Sequence, residues 1–247
     1  MPRFYISPER WNPASLELGE EEAHHALHVL RMKAGERAVL FNGQGSQATA
    51  EITATTKRTV SLKALELTQA APQRCRITLG QAIPKGKNMD LVVQKATELG
   101  AAAVAPLLTE HTVVQCDARE ALRKQEKWQA VAVEACKQCG QNWLPAVLTP
   151  QPMERLLQNE FDLKLIASLA PGSRHPKEVL AEAVRERGGT PPQSVLILIG
   201  PEGDFSPRET ALALDAGCKP ITLGPIVLRT ETAALYCLSV LSYELLG

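Results

Sequence analysis

The sequence predicts an α/β protein in which a small β-rich N-terminal part precedes a larger part built on a parallel sheet. Within roughly the first 70 residues, short segments alternate apolar and polar residues and are separated by tight turns, which is typical of a small β-barrel. From residue 76 onward, strand and helix candidates alternate, which indicates a parallel sheet with helices on both faces. Because the pattern changes at a Gln-Ala-Ala-Pro linker, we expect domains at residues 1–71 and 72–247.

In the β-rich part, the pattern predicts a short helix at residues 20–30. Residues 43–48 fit the dinucleotide-binding pattern Gly-x-Gly-x-x-Gly/Ala. We predict a hairpin turn there instead, because strands are expected on both sides of the glycines rather than a strand and a helix. The expected strands are residues 3–6, 37–41, 48–55 and 59–67.

In the α/β part, the most distinctive segment is Val-Leu-Ile-Leu-Ile at residues 195–199. Its continuous apolar character is typical of a strand buried on both faces. Further strands are expected at residues 76–83, 102–107, 163–169 and 220–223. Helices are expected at residues 88–99, 117–139, 177–187, 207–216 and 230–246.

Composition indicates where in the cell the protein is expected and whether it is expected to bind a metal. No apolar run approaches the roughly 18 residues that a membrane span needs, and the Met-Pro-Arg-Phe-Tyr start lacks the apolar stretch of a signal peptide. We therefore expect a cytoplasmic protein without membrane contact. The six cysteines are scattered, and the Cys136-x-x-Cys139 pair lacks the further ligands of a zinc site, so we expect reduced thiols and no metal.

The overall charge gives no indication of a nucleic-acid partner, since 27 Lys and Arg balance 27 Asp and Glu. Basic clusters do occur: residues 74–87 include Arg74, Arg76, Lys85 and Lys87 and contain no acidic residue. From composition alone, ordinary solvated surface charge is the favoured interpretation.

A glycine-rich turn follows the buried strand at residues 195–199. It reads Gly-Pro-Glu-Gly at residues 200–203, and Ser206 and Glu209 then form the capping-box pattern of a helix start. In open parallel sheets, ligands bind at the carboxyl ends of strands. The turn is therefore a candidate ligand site, with an ordinary strand-to-helix turn as the alternative.

A second loop, at residues 224–232, repeats this arrangement before the last helix. Thr230 could cap that helix. Arg229 would then lie at the positive end of the helix, which is unfavourable for a cation unless an anion or a polar ligand is near. Such a local conflict indicates a functional site, and an incidental surface arginine is the alternative.

The motifs of the chain resemble those of the RsmE family of 16S rRNA (uracil-N3) methyltransferases, in the SPOUT superfamily. The resemblance extends over essentially the whole chain. The most specific matches are residues 199–203 and 223–233. Others are Arg-Phe-Tyr at residues 3–5, and residues 25–31, 85–90, 94–100 and 134–140.

The resemblance implies a PUA-like barrel for RNA binding at residues 1–71 and a SPOUT-type α/β domain with a deep trefoil knot at residues 72–247. It also implies a homodimer that acts on 16S rRNA within the small ribosomal subunit. The residues that it assigns to RNA are Arg3, Arg31, Lys85 and Lys87. The residues that it assigns to the cofactor, S-adenosylmethionine, are Ser168, Leu169, Leu198, Ile199, Gly200, Pro201, Glu202, Gly203, Leu223, Gly224, Leu228, Thr230, Thr232 and Ala233.

Methylation at uracil N3 requires removal of the N3 proton, so the resemblance calls for a base and for stabilisation of negative charge. Glu231 is our first candidate for the proton acceptor and Glu202 the second, while Arg229 is the candidate for stabilising charge on the uracil oxygens. A purely structural Glu231 is the alternative.

Three positions depart from the family pattern, because Asn88, Gln141 and Ile226 stand where a basic residue is frequent or usual. Two other functions therefore stay open. One is a related enzyme that acts on another RNA or on a ribose hydroxyl. The other is a non-catalytic RNA-binding factor for ribosome assembly.

Overall fold

The structure is a computed structural model that describes residues 1–112, 116–170 and 172–247. The described residues form two compact units. The N-terminal unit comprises Met1–Pro72 and Val133–Leu144, and the α/β unit comprises Gln73–Ala132 and Pro145–Gly247.

The N-terminal unit contains a five-stranded sheet in the order β1-β3-β4-β5-β2. Strand β1 is parallel to β3, and the other pairs are antiparallel. Alternate residues of these strands point into a core that includes the fully buried Phe4, Leu16, Leu40 and Ile52. The strands are β1 Arg3–Tyr5, β2 Leu16–Glu17, β3 Arg37–Phe41, β4 Ser46–Thr55 and β5 Val60–Gln69.

The turn between β3 and β4 is the predicted hairpin connection and not a dinucleotide site. The Asn42 side chain accepts hydrogen bonds from the backbone N–H groups of Gln44 and Ser46, at 2.8 and 3.0 Å. Gly43 and Gly45 have φ angles of +73° and +89°, which a side chain would strain.

The helix expected at residues 20–30 is divided in the structure. It begins as α1, Glu20–His24, and continues as a π-helical turn, His25–Val29. The N–H of Leu30 donates to the carbonyl of His25 at 3.0 Å, the spacing of a π-helix. Apolar periodicity cannot distinguish this spacing from an α-helix over so short a segment.

The α/β unit is built on the sheet β12-β10-β11-β6-β7-β8, with β9 also paired to β7, and every pair is parallel. The strands are β6 Arg76–Ala82, β7 Ala103–Leu108, β8 Ala146–Val147, β9 Gln151–Pro152, β10 Leu163–Ala167, β11 Ser194–Ile199 and β12 Lys219–Ile221. The helices that begin in this unit are α2 Asn88–Glu98, α3 Ala118–Cys139, α4 Met153–Leu157, α5 Pro176–Glu186, α6 Pro207–Asp215 and α7 Thr230–Leu245. The predicted fold class is confirmed.

Strand β11 lies inside the sheet, between β10 and β6. Its residues 195–198 have no exposed surface, as its continuous apolar sequence predicts. Strands β10 and β12 end two residues earlier than the sequence indicates, so Ser168, Leu169 and Leu223 lie in loops. Since β12, β10 and β11 are adjacent and parallel, their carboxyl ends form one edge of the sheet.

The cysteines are free thiols, as expected from their scatter. Cys136 is buried near the end of α3 and Cys139 is exposed at its last residue. Burial raises the pKa of the Cys136 thiol to about 12. In the described ranges, no helix combines the length and apolar character that crossing a membrane requires.

Candidate active site

A cavity of about 400 Å³ lies at the carboxyl ends of β10, β11 and β12. Its position is where open parallel sheets bind ligands, and its size is that of a small-molecule site. Its walls come from the loops that follow these three strands and from the start of α7. The lining residues are Asn88, Ala167, Ser168, Leu169, Ile199, Gly200, Pro201, Glu202, Asp204, Leu223, Gly224, Ile226, Val227, Leu228, Arg229, Thr230, Glu231 and Ala233.

The structure brings most of the sequence-predicted site residues together at this cavity. Leu198, Gly203 and Thr232 belong to the same segments but do not line it. Lys85 and Lys87 are exposed in the loop before α2, outside the lining. The lining residues that the sequence did not assign to the site are Asn88, Ala167, Asp204, Ile226 and Val227.

The glycine loop, residues 200–205, is a tight turn between β11 and α6. A Cβ at Gly200 would lie only 3.0 Å from Oδ1 of Asp204 and 3.2 Å from the backbone N of Phe205, so a side chain there would require the loop to move. Asp204 adopts φ +60°, and its Oδ1 accepts a 2.8 Å hydrogen bond from the N–H of Phe205. The loop is thus fixed in a backbone conformation that few residue types tolerate.

Helix α6 begins with the predicted capping box. The Ser206 Oγ accepts from the Glu209 N–H at 3.2 Å, and the Glu209 Oε2 accepts from the Ser206 N–H at 2.9 Å. The other oxygen of Glu209 accepts from the N–H of Glu110 at 2.9 Å, in the loop after β7. A single buried carboxylate therefore anchors two loops of the α/β unit.

His111 supports the glycine loop from outside the cavity. Its Nδ1 lies 2.9 Å from the carbonyl oxygen of Asp204, and its side chain packs against Gly203, where a Cβ would come within 3.3 Å. The hydrogen bond to the Asp204 carbonyl raises the pKa of the imidazole. No local sequence pattern indicates this contact, because the two residues are 93 positions apart.

The start of α7 differs from the prediction, because Thr230 does not cap the helix. Arg229 occupies the N-cap position and Thr230 is the first helical residue. The buried Thr230 hydroxyl donates to the carbonyl of Gly200 at 2.7 Å and accepts from Nε2 of Gln81 at 2.9 Å. The hydroxyl is thereby used to join α7 to the glycine loop and to β6.

Gln81 is fully buried beneath this junction. Its Nε2 also donates to the carbonyl of Ala82, while its Oε1 has no hydrogen-bond partner within the described residues. A buried polar side chain on a central strand is exceptional, and here it fixes the position of Thr230.

The two candidate catalytic residues flank Thr230. Arg229 is exposed and Glu231 is half-buried, and both line the cavity. Glu231 lies in the first turn of α7, where the helix dipole favours a carboxylate. The same dipole disfavours Arg229, so the conflict expected from the sequence is present in the structure.

Glu202, the second candidate for the base, is exposed and lines the cavity. Its Oε1 accepts a 2.9 Å hydrogen bond from the backbone N–H of Lys85. One oxygen of this carboxylate is therefore already engaged with the loop before α2.

The arginines assigned to RNA belong to the N-terminal unit and differ from each other. The Arg3 guanidinium donates to Oε1 of Gln47 and Oδ1 of Asn142, each at 2.8 Å, and lies 4.9 Å from the centre of the Phe41 ring. Burial lowers the pKa of this group. Arg31 is instead exposed, with φ +54°, directly after the π-helical turn.

Comparison with known proteins gives matches over nearly the whole chain. Residues 71–242 match the model of an RNA methyltransferase domain, and residues 18–65 match that of an RNA methyltransferase PUA domain. Ribosomal RNA small subunit methyltransferase E of Bacillus subtilis is 32% identical over 225 residues, which cover 91% of this chain and 88% of the relative.

Two solved structures are similar along the whole chain. A Legionella pneumophila protein determined with the bound cofactor SAM is 36% identical, with a TM-score of 0.85 and coverage of 98% of this chain and 97% of that one. Ribosomal RNA small subunit methyltransferase E of Neisseria gonorrhoeae, bound to S-adenosyl methionine, is 30% identical, with a TM-score of 0.85 and coverage of 99% and 98%. The chain therefore belongs to the ribosomal RNA small subunit methyltransferase E family.

Proposed function

We propose that the protein transfers the methyl group of S-adenosylmethionine to N3 of a uracil in 16S ribosomal RNA. The observation that carries the proposal is the cavity at the ends of β10, β11 and β12, with Arg229 and Glu231 in its wall. Relatives are named for methylation of small-subunit ribosomal RNA, and the two similar structures hold this cofactor.

The residues of the cavity fit such a cofactor. Leu169, Leu223 and Leu228 provide apolar surface for a flat heterocycle, while the strand-end loops offer backbone hydrogen-bonding groups. Gly224, at φ +112°, and the crowded Gly200 let the backbone itself form the wall. When bound, S-adenosylmethionine supplies an electrophilic methyl group.

Glu231 is the residue that we assign to the N3 proton. Its carboxylate lines the cavity in the first turn of α7, and it accepts the proton directly or through a water molecule. Glu202 is less suited to this role, because its Oε1 already accepts a hydrogen bond from Lys85.

Arg229 is assigned to the negative charge that develops on the uracil oxygens as the proton leaves. It is exposed at the N-cap of α7 and lines the cavity, so its guanidinium is available to a substrate. A paired or stacked uracil must first be exposed before N3 can react.

On the RNA side, we propose that Lys85, Lys87 and Arg31 contact phosphates, because all three are exposed. We expect Arg3 to contribute less to RNA binding than the sequence suggested, because its guanidinium already donates hydrogen bonds to Gln47 and Asn142. The 16S RNA target, within the small subunit, would place the protein in the cytoplasm.

We also propose a homodimer formed through α7. Tyr236 and Tyr243 lie on one face of this helix and are 43% and 83% exposed, and Ile226 and Val227 in the preceding loop are 68% and 77% exposed. Since the last two residues also line the cavity, a partner seated on this face would help to close the site. We propose as well that the α/β unit contains the trefoil knot that the family resemblance implies.

The experiment that tests the function is nucleoside analysis of 16S ribosomal RNA from a deletion strain, with and without the restored gene. We expect 3-methyluridine to be absent after deletion and to return with the gene. Loss of a ribose-methylated nucleoside instead would favour the alternative enzyme. An unchanged RNA would favour a non-catalytic binding factor.

A further inference from the structure

The carboxylate of Glu202 joins the wall of the cavity to the loop that carries Lys85 and Lys87. The hydrogen bond from the Lys85 N–H to Oε1 of Glu202 is 2.9 Å long and connects residues 117 positions apart. We propose that Glu202 is a positioning residue for RNA, whose carboxylate holds residues 84–87 in the conformation in which the two lysines meet phosphates of the substrate. This inference rests on the proposed function, since it concerns the RNA side of the same site.

Residues 84–87 need such an anchor. Pro84 is buried, but Lys85, Gly86 and Lys87 are all exposed, and Gly86 adopts φ +70° with open space around it. Backbone hydrogen bonds hold the two ends, from Ile83 to Leu107 and from Asp90 to Lys87, each 3.1 Å long. Between them, the Lys85 N–H is bonded to Glu202.

The anchor itself is firm. Within the glycine loop, Asp204 donates to the carbonyl of Pro201 at 2.9 Å. Thr230 holds the Gly200 carbonyl from one side, and His111 holds the Asp204 carbonyl from the other. Glu202 therefore projects from a fixed turn, and its hydrogen bond restricts the lysine loop before RNA arrives. An ordered loop loses less conformational entropy on binding than a free one.

Charge and positioning predict opposite effects on RNA affinity. A carboxylate bonded to the backbone of the lysine loop weakens the attraction to phosphates, so removing it should strengthen RNA binding if charge alone mattered. If Glu202 acts by holding Lys85, removing it should weaken RNA binding. Glutamine loses the charge but keeps an oxygen that accepts the hydrogen bond. Positioning thus predicts weaker binding for Glu202→Ala and no loss for Glu202→Gln.

The experiment measures the affinity of the full-length protein for 16S ribosomal RNA from the deletion strain, without cofactor and at one fixed salt concentration. We expect Glu202→Ala to bind roughly tenfold more weakly than the wild type, and Glu202→Gln to bind at least as tightly as the wild type. The double variant Lys85→Ala/Lys87→Ala provides a thermodynamic cycle. In that background Glu202→Ala should cause no further loss, because the groups that it positions are gone.

Glu154→Ala is the matched control, since it removes an exposed glutamate from helix α4 of the same unit. Thermal unfolding of each variant identifies any loss that comes from misfolding. Equal or tighter RNA binding by Glu202→Ala, or a full further loss in the lysine-free background, would overturn the inference while leaving the proposed function in place. Failure of the wild type to prefer 16S RNA over transfer RNA would overturn the proposed function and the inference together.

Discussion

Arg229 and Glu231 stand on either side of a buried threonine at the start of α7, and their chemistry differs from that of an ordinary helix start. A carboxylate in the first turn is favoured by the helix dipole, whereas a guanidinium at the N-cap is not. Both residues line a cavity, where Glu231 would accept the N3 proton of a uracil and Arg229 would stabilise the negative charge that develops on its oxygens. Glu231 is therefore the residue whose substitution is most informative.

We expect Glu231→Gln to lower kcat by about 100-fold or more, because an amide cannot accept the N3 proton. The affinity for S-adenosylmethionine should change far less than kcat. Steady-state kinetics and calorimetry measure the two effects separately. Glu244→Gln, an exposed change near the other end of α7, is the control and should behave as the wild type. Turnover close to wild type in Glu231→Gln at saturating substrate would remove Glu231 from the mechanism.

His111 gives the glycine loop a dependence on pH. Its pKa is raised by the Asp204 carbonyl, so the folded state favours the protonated imidazole. The resulting stabilisation is complete below the pKa of the unfolded chain and is lost as pH rises through the raised pKa of the folded protein. We expect the urea midpoint of the wild type to exceed that of His111→Gln by more at about pH 5 than at about pH 8.5. A difference that does not vary with pH would contradict this account.

Contacts that are local in sequence were predictable at the residue scale, and distant ones were not. The Ser206 and Glu209 capping box lies within four residues and was predicted correctly. The local pattern likewise predicts Thr230 as a helix cap. In the structure its hydroxyl instead donates a hydrogen bond to the carbonyl of Gly200, 30 positions away. Gln81 reaches Thr230 across 149 positions, and its role depends entirely on the folded topology.

At the scale of elements, the cavity depends on how α7 begins against the glycine loop and β6. The Thr230 hydroxyl joins the three elements, since it donates to Gly200 and accepts from Gln81. Its loss would leave the part-buried Gly200 carbonyl without this donor and one N–H of the buried Gln81 amide without this acceptor, which is more costly than the loss of one exposed hydrogen bond.

We therefore expect Thr230→Val, which keeps the shape of the side chain, to lower the free energy of unfolding by about 1–3 kcal/mol. Thr232→Val is the matched control, because Thr232 is exposed two residues further along α7, and its cost should stay within about 0.5 kcal/mol. Urea unfolding measures both. An equal loss in the free energy of unfolding for the two variants would show that the buried hydrogen bonds of Thr230 do not stabilise the fold.

Long periodic elements were predictable from the sequence, whereas short ones were not. The apolar run of β11 and the 22 residues of α3 are signals that few alternatives can produce. Strands β2, β8 and β9 have two residues each, too few to show an alternation, and the five-residue α4 completes barely more than one turn. The most consequential difference for the site is where β10 and β12 end. Both strands are shorter than predicted, so Ser168 and Leu223 lie in the loops that line the cavity.

At the scale of the whole molecule, the exposed face of α7 is unusual for a surface. Tyr243 is 83% exposed near the end of a helix that otherwise buries Leu238, Leu241 and Leu245. Aromatic side chains are enriched at interfaces between subunits, where they supply a large apolar area.

We expect the wild type to sediment as a dimer, and Tyr243→Glu to raise the dimer dissociation constant roughly tenfold or more, because it would place a charge in the interface. Tyr243→Phe, which keeps the apolar ring, should stay close to the wild type. Analytical ultracentrifugation over a range of concentrations distinguishes these cases. A wild type that is monomeric at all concentrations would contradict the proposed dimer.

The order of the strands is the feature that composition and periodicity could least predict. Alternating strands and helices indicate a parallel sheet, but they do not specify the order β12-β10-β11-β6-β7-β8 that brings three loops to one edge. The motifs therefore predicted most of the residues that line the cavity, and only the folded chain explains why those motifs share one cavity.

The function proposed for this cavity is the methylation of uracil N3 in 16S ribosomal RNA. Its most direct test supplies purified protein with S-adenosylmethionine that carries an isotope-labelled methyl group, and with small ribosomal subunits from the deletion strain. The RNA is then digested and its nucleosides are analysed by mass spectrometry. We expect labelled 3-methyluridine from the wild type and about 100-fold less from Glu231→Gln. Label on a ribose hydroxyl or on another base, or no label at all, would contradict it.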